Sequence, residues 1–120
     1  MKQADIKVVV DGKILEFDVP PIIVNDRILV PLRGIFEEFG ANVDYQSGFL
    51  ATITAKKGNT TVSIAIGSSA PTINGQVTTI DQPCILFRGR TLAPLRFVAE
   101  AFGGTVAWDG GSSTAFITSG

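Results

Sequence analysis

An internal repeat limits the possible folds of this chain more than any other feature of its sequence. When the sequence is shifted by 63 positions, residues 25–40 align with residues 88–103 without a gap. An arginine, a Pro-Leu-Arg triplet, a glutamate and a Phe-Gly pair coincide, which indicates two copies of one unit. The signature residues of the two copies are Arg27, Pro31, Arg33, Glu37, Gly40, Arg90, Pro94, Arg96, Glu100 and Gly103.

The same alignment extends beyond the signature. It places Asp18 on Asp81, Pro20 on Pro83, Val43 on Val106 and Tyr45 on Trp108. A length of 120 residues suits one domain. We therefore predict a single compact domain over residues 1–120, made of half-repeats at about 6–66 and 69–120, and the short connection between them predicts halves that pack together.

Turn residues predict two hairpins in each copy. Asp11-Gly12 and Asn74-Gly75 each stand between short runs of strand-forming residues, and both turn positions of such a hairpin need a positive φ. Second hairpins are predicted around residues 25–26 and 88–89. Further strands are predicted at 42–45, 49–56 and 60–66, and again at 105–108 and 113–118.

Each copy also carries one helical pattern. Apolar residues at 32, 35, 36 and 39 form one stripe, and positions 95, 98, 99 and 102 repeat it. Pro31 and Pro94 suit the first turn of these helices, and Gly40 and Gly103 suit their ends. The predicted fold class is α+β: two repeated units related by a pseudo-two-fold, each an antiparallel sheet of short hairpin strands around one helix.

Composition and residue types exclude several classes of function. A net charge of −1 provides no electrostatic surface for nucleic acid, and no apolar run approaches the length of a membrane span. The chain lacks histidine, so the usual general base and the Ser-His and Cys-His dyads are missing. The single cysteine, Cys84, is interpreted as a small apolar residue. Glu37-Glu38 could form a carboxylate pair, but helix neighbours point apart and Ala101 replaces the second glutamate in the other copy.

The segments Leu-Val-Pro-Leu-Arg and Phe-Gly-Ala-Asn-Val-Asp-Tyr, with their counterparts around Pro94 and Trp108, resemble the copper amine oxidase N-terminal domain, also called the stalk domain. The resemblance covers roughly residues 6–117. It implies a repeated five-stranded antiparallel sheet wrapped around a helix. It also implies an accessory module in secreted or wall-associated bacterial proteins, separate from any catalytic domain.

The oxidase chemistry itself does not transfer to this chain. The resemblance implies, for the catalytic domain of such oxidases, three histidines around copper and a tyrosine converted to a quinone. This chain has no histidine, and its only tyrosine, Tyr45, lies in a different local sequence. We therefore predict no catalytic residue, no metal site and no cofactor.

The charged and aromatic residues of the repeat can be interpreted either as structural or as ligand-binding. Arg33 with Glu37, and Arg96 with Glu100, are spaced as i,i+4 ion pairs, although an anion or carboxylate-sugar site is the alternative. Tyr45 and Trp108 are candidates for sugar binding, because aromatic faces stack on sugar rings. Each follows a valine by two residues, so if those valines are buried the aromatic side chains lie in the core or at its edge, and we predict the core.

The sequence therefore predicts a non-catalytic accessory or stalk module of a larger secreted or cell-wall-associated bacterial protein, acting as a spacer or interaction domain. The alternative is a module that binds cell-wall glycan or another polysaccharide. The expected partners are other domains of the parent chain and, in the alternative, such a polysaccharide, with no nucleic acid and no membrane span. No apolar segment of a signal peptide follows the N-terminus, so we expect either a protein that stays inside the cell or one from which the signal has been removed, and the abrupt end at Ser119-Gly120 is typical of a piece of a longer protein.

Overall fold

A computed structural model describes residues 2–3, 5–46 and 51–120. Within these ranges the chain is mostly β, with fourteen strands and two short helices. The strands up to residue 65 are β1 (Lys2–Gln3), β2 (Lys7–Val10), β3 (Lys13–Leu15), β4 (Ile22–Val24), β5 (Arg27–Pro31), β6 (Asn42–Gln46), β7 (Thr52–Lys57) and β8 (Thr60–Ala65). The later strands are β9 (Thr72–Ile73), β10 (Gln76–Val77), β11 (Ile85–Phe87), β12 (Arg90–Pro94), β13 (Thr105–Asp109) and β14 (Thr114–Thr118). The helices are α1 (Leu32–Glu38) and α2 (Leu95–Glu100). The predicted strand start at Phe49 lies outside the described residues.

All four predicted hairpins are confirmed. β2 pairs with β3, β4 with β5, β9 with β10 and β11 with β12, each antiparallel. Their turns adopt the positive φ that the sequence requires, with 49° at Asp11, 52° at Asn74 and 51° at Asn25. Arg88 takes the same conformation at 52°, although an arginine there is less usual than an asparagine.

The first hairpin of each half joins the sheet of the other half. The terminal sheet has the order β13-β14-β2-β3, so the hairpin near the N-terminus completes a sheet begun near the C-terminus. The internal sheet has the order β10-β9-β8-β7-β6, so the β9–β10 hairpin completes the sheet of the first half. Neither half therefore forms its own closed set of strands.

A third sheet, the joint sheet, connects the halves along the order β1-β4-β5-β12-β11. Its centre is the antiparallel pairing of β5 with β12, where Val30 lies opposite Ala93. Both of these residues are fully buried in the main core. On the adjacent positions, Leu29 and Leu92 form a second small core with Ile22, so the centre of the joint sheet is buried on both faces.

The main core fills the space between the three sheets and the helices. Val8 and Val10 of β2, on alternate positions, are 1% exposed, as expected for a strand with one buried face. From α1 the core takes Leu32, Ile35 and Phe36. Phe36 meets Phe102 edge to face with ring centroids 5.1 Å apart, which joins the two halves through an aromatic contact.

The predicted α+β class is wrong, and the physical reason lies in strand pairing. Periodicity identifies local strands, but it does not say which distant strands share a sheet, and here every sheet combines strands from both halves. The structure also contains a parallel pair, β14 with β2, which the prediction of purely antiparallel units excluded. The fold is therefore a mostly β arrangement of three sheets, not two units each closed around a helix.

The helices are shorter than predicted at both ends, because the prolines belong to the preceding strands and the helices end at Glu38 and Glu100, before Phe39 and Phe102. Pro31 and Pro94 are the last residues of β5 and β12, and each helix begins one residue later. Their extended backbone, with ψ of 111° and 130°, suits the fixed φ of proline. Gly40, at φ of 90°, directly follows the C-cap of α1 as predicted, whereas Gly103, at φ of 85°, lies two residues after the C-cap of α2, Ala101. In the described part of the chain no helix is long and apolar enough to cross a membrane.

Candidate binding grooves

Two grooves among the described residues have corresponding linings. The tryptophan groove, with a volume of about 640 Å³, is lined in part by Trp108, Pro94, Arg96, Glu100, Arg27 and Asp81. The tyrosine groove, of about 860 Å³, contains the residues 63 positions away, namely Tyr45, Pro31, Arg33, Glu37, Arg90 and Asp18. Both volumes lie in the range of small-molecule sites, about 300–1,000 Å³.

The grooves gather most of the repeat signature. Eight of its ten residues line one groove or the other, whereas Gly40 and Gly103 lie beyond the ends of the helices and in neither lining. Each groove also takes residues from both halves. The tryptophan groove combines Arg27 of the first half with Arg96 of the second. The exchanged arrangement of the halves thus builds the grooves.

The aromatic side chains are exposed, so the prediction that they belong to the core is wrong. Trp108 is 47% exposed and Tyr45 is 48% exposed. Val106 and Val43, two residues earlier on the same strands, are partly buried against the main core and line the same grooves. The alternation argument therefore identified the correct side of the strand. The core ends at the valine, and the aromatic side chain lies beyond it.

Two arginine–aspartate ion pairs connect the halves inside the grooves. Arg27 donates from Nε to Oδ2 of Asp81 at 2.9 Å, and its Nη2 donates to the same oxygen. Arg90 binds Asp18 with both carboxylate oxygens engaged, Nε donating to Oδ1 at 3.2 Å and Nη2 to Oδ2. Each arginine follows its hairpin turn and reaches an acid of the other half. This contact gives the arginine directly after each turn a structural role.

These ion pairs alter the titration of their carboxylates. Hydrogen bonds from Arg90 hold the pKa of Asp18 below its ordinary value, and Arg27 does the same to the pKa of Asp81. The same hydrogen bonds raise the pKa of the arginine partners, Arg90 and Arg27. The side chains are about half exposed or more, so solvent screens each pair.

The helix arginines form the predicted i,i+4 contacts. Arg33 Nε lies 3.2 Å from a carboxylate oxygen of Glu37, and Arg96 Nη1 lies 3.5 Å from one of Glu100. The arginine side chains are 63% and 69% exposed, so each pair is worth only a few tenths of a kcal/mol. Stability therefore does not explain why these charges occur at the groove surface.

Four acidic groove residues were not predicted as site residues. Asp18 and Asp81 carried a signal, because they coincide in the 63-residue alignment together with the arginines they bind. Asp26 and Glu16 carried none, because their counterparts in the alignment are Gly89 and Thr79. Only the folded arrangement places Asp26 in the tryptophan groove and Glu16 in the tyrosine groove.

The remaining nucleophile and metal-ligand types give no second site. Cys84 is fully buried, its Sγ lies 3.2 Å from the carbonyl oxygen of Ala65, and burial raises the pKa of its thiol. Across residues 2–3, 5–46 and 51–120, no three or more of the His, Cys, Asp and Glu side chains form a group that could hold a metal ion. The two grooves are therefore the candidate site.

Comparison with protein families identifies the chain. The family model described as Copper amine oxidase N-terminal domain matches residues 9–117. The chain belongs to the copper amine oxidase N-terminal domain family. This family is a non-catalytic domain of those oxidases, so membership fits an accessory module and not an enzyme. Searches among curated proteins and among solved structures found no significant match. The segment that matches the copper amine oxidase N-terminal domain includes every groove residue named above.

Proposed function

We propose that this chain is a carbohydrate-binding accessory module of a larger secreted or cell-wall-associated bacterial protein, and that each groove holds part of a saccharide chain. The observation that carries the proposal is the exposed aromatic side chain in each groove, Trp108 in one and Tyr45 in the other. An aromatic left about half exposed inside a concave surface loses the benefit of burial, which ligand contact would restore.

The chemistry around each aromatic side chain suits a sugar ring. A ring presents an apolar C–H face, which packs on the indole of Trp108 or the phenol of Tyr45. Its hydroxyl groups are both donors and acceptors, so they can bond to the guanidinium and carboxylate groups that flank the aromatic. Such a mixture of one apolar surface and a few polar groups is typical of ligand sites.

Two equivalent grooves would also favour a polymer over a single sugar. When two sites on one domain bind the same chain, the second contact forms at a high effective concentration. A weak affinity at each groove would then suffice for retention on a polysaccharide. The partner in this proposal is a polysaccharide, with the other domains of the parent chain as neighbours.

A spacer is the second candidate, and the exchange of hairpins between the halves favours it. Because β2–β3 and β9–β10 each complete a distant sheet, the ends of the chain are tied into one assembly. A rigid module of this kind would hold neighbouring domains apart without needing a ligand. The two functions are compatible, but a spacer alone leaves the exposed aromatic residues without a role.

The test removes the aromatic platforms and measures retention on polysaccharide. The double variant Trp108→Ala, Tyr45→Ala should lose retention on insoluble cellulose and chitin and on purified cell wall. Each single variant should keep a reduced part of it. Since both side chains are about half exposed, each change should cost only about 1–2 kcal/mol of stability, so the variants remain folded.

The matched control is Phe116→Ala. Phe116 is 45% exposed, close to the values for Trp108 and Tyr45, but it lies on β14 and in neither groove lining. This variant should bind like the unmodified protein. Retention that survives loss of both groove aromatics, or that Phe116→Ala also abolishes, would reject saccharide binding in the grooves.

A further inference from the structure

The charges of the grooves restrict the kind of saccharide they can take. The tryptophan groove contains two arginines and three carboxylates, namely Arg27, Arg96, Asp26, Asp81 and Glu100. The tyrosine groove has the same balance, with Arg33, Arg90, Glu16, Asp18 and Glu37. Each groove therefore carries one net negative charge.

One carboxylate in each groove is left over after the ion pairs are formed. The four arginines pair with Asp81, Glu100, Asp18 and Glu37. Asp26 and Glu16 form no ion pair with any described residue, and both are exposed. Asp26 contributes to the raised pKa of its neighbour Arg27, but neither carboxylate is within ion-pair distance of a described arginine, so each can receive a cation from a ligand.

The unpaired carboxylate of each groove comes from a different position of the repeat. Asp26 stands in the turn between β4 and β5, and its counterpart in the alignment is Gly89. Glu16 follows β3, and its counterpart is Thr79. Duplication of a single residue does not explain the shared surplus charge, because Asp26 and Glu16 occupy positions that do not correspond in the two copies of the repeat. The agreement points to a property of the ligand.

Resting on the proposed function, we propose that the grooves prefer a saccharide chain with free amino groups, such as a deacetylated amino-sugar polymer. The ring packs on the aromatic side chain while its ammonium group meets Asp26 or Glu16. An ammonium near the face of Trp108 gains a further attraction from the indole ring. An acidic saccharide would meet a net negative groove, which disfavours it.

The size of the preference follows from exposure. An exposed charge pair contributes little, so one free carboxylate should favour the amine-bearing sugar by about two- to fivefold. The effect should decline with added salt, since screening at about 1 M reduces the Debye length to about 3 Å. Because lower pH favours the ammonium form of the amine, the preference should be stronger at about pH 6 than at about pH 8.

Tryptophan fluorescence reports on ligand binding in the tryptophan groove alone, because Trp108 is the only tryptophan of the sequence. The probes are glucosamine oligomers, N-acetylglucosamine oligomers of the same length, galacturonate oligomers and oligolysine. We expect the emission titration to rank glucosamine first, N-acetylglucosamine second and galacturonate last. In Asp26→Asn the first two should become equal, and the asparagine should keep the turn, because it tolerates the φ of 62° at that position.

Glu16→Gln is the matched control. It removes the same charge from the other groove, so the preference reported by Trp108 should remain. Equal affinity of the unmodified protein for acetylated and free amino sugars, or a preference that survives Asp26→Asn, would overturn the inference and leave saccharide binding intact. Binding to no saccharide at all would reject the proposed function and this inference with it. Tighter binding of oligolysine than of any saccharide would replace the inference with a basic peptide partner.

Discussion

At the residue scale, the arginine that follows each of the two hairpin turns forms an ion pair with a residue far away in the sequence. Arg27 donates to Asp81 and Arg90 donates to Asp18, so each arginine binds an aspartate of the other half. Asp11 forms a third such contact. It accepts hydrogen bonds from the backbone N–H and the hydroxyl of Ser119, at 2.9 and 2.6 Å, which ties the first hairpin to the last strand.

These contacts predict how stability depends on pH. Hydrogen bonds from Ser119 lower the pKa of Asp11, as Arg90 and Arg27 lower the pKa of Asp18 and Asp81. A carboxylate with a lowered folded-state pKa stabilises the fold above the unfolded-state pKa, about 3.9, and this contribution disappears as the pH falls through the folded-state pKa. The thermal midpoint should therefore be constant near neutral pH and fall steadily below about pH 4.

The double variant Asp18→Asn, Asp81→Asn separates this effect from general acid unfolding. It should lower the midpoint at neutral pH and make the decline in acid shallower, because two of the three titrating contacts are gone. Thermal unfolding followed by circular dichroism at a series of pH values measures both. A variant with an unchanged acid profile would show that the ion pairs do not contribute to the pH dependence.

At the element scale, the turn of each exchanged hairpin fastens it to the sheet it joins. Asn74 Oδ1 accepts a hydrogen bond from the backbone N–H of Thr61 at 2.8 Å, and the backbone N–H of Asn74 bonds to the Thr61 carbonyl at 2.8 Å. Asn74 also adopts a φ of 52°, which a short polar residue tolerates well. One residue thus sets the turn and attaches the hairpin to β8.

Asn74→Ala should therefore lower the free energy of unfolding by about 1.5–3 kcal/mol, from the lost hydrogen bond and the disfavoured backbone. Asn74→Gly is the control, because glycine keeps the positive φ and loses only the side-chain bond, for about 1 kcal/mol. Denaturant unfolding measures both. Equal losses in the two variants would mean that the backbone conformation at this turn contributes nothing.

The hairpins could be predicted from sequence because their cause is local, whereas the sheets could not. Asp11-Gly12 and Asn74-Gly75 determine their turns within a few residues, but the pairing of β2 with β14 depends on residues more than a hundred positions apart. The grooves, too, could be predicted from the sequence only in part. The repeat identified the arginines and glutamates, while the exposure of Tyr45 and Trp108 depends on where the core ends, which periodicity does not report.

At the scale of the whole molecule, the three sheets make the halves dependent on each other. The internal sheet needs β9 and β10, the terminal sheet needs β2 and β3, and the joint sheet needs β5 and β12 together. The main core likewise draws on both halves, with Val8 and Phe36 in the same cluster as Val98 and Ile117. The two copies in the sequence therefore do not correspond to two independent folding units.

Separate halves should consequently not fold. A fragment of residues 1–66 and one of 67–120 should each lack a cooperative unfolding transition and a dispersed NMR spectrum. Mixed in equal amounts they should regain both, because each supplies the hairpin that the other needs. The covalently joined chain serves as the reference. A fragment that unfolds cooperatively by itself would contradict the mutual dependence of the halves.

The parallel pairing of β2 with β14 has a mechanical consequence. Lys7 lies opposite Thr114 and Val10 opposite Ile117, so the two strands run in the same direction near opposite ends of the sequence. Tension applied through residues 5 and 119 pulls the start of β2 and the end of β14 away from each other along the strand axis. The bonds between the strands then share the load in shear and do not open one after another. We expect the domain to transmit force along its chain and to resist stretching better than its modest size suggests.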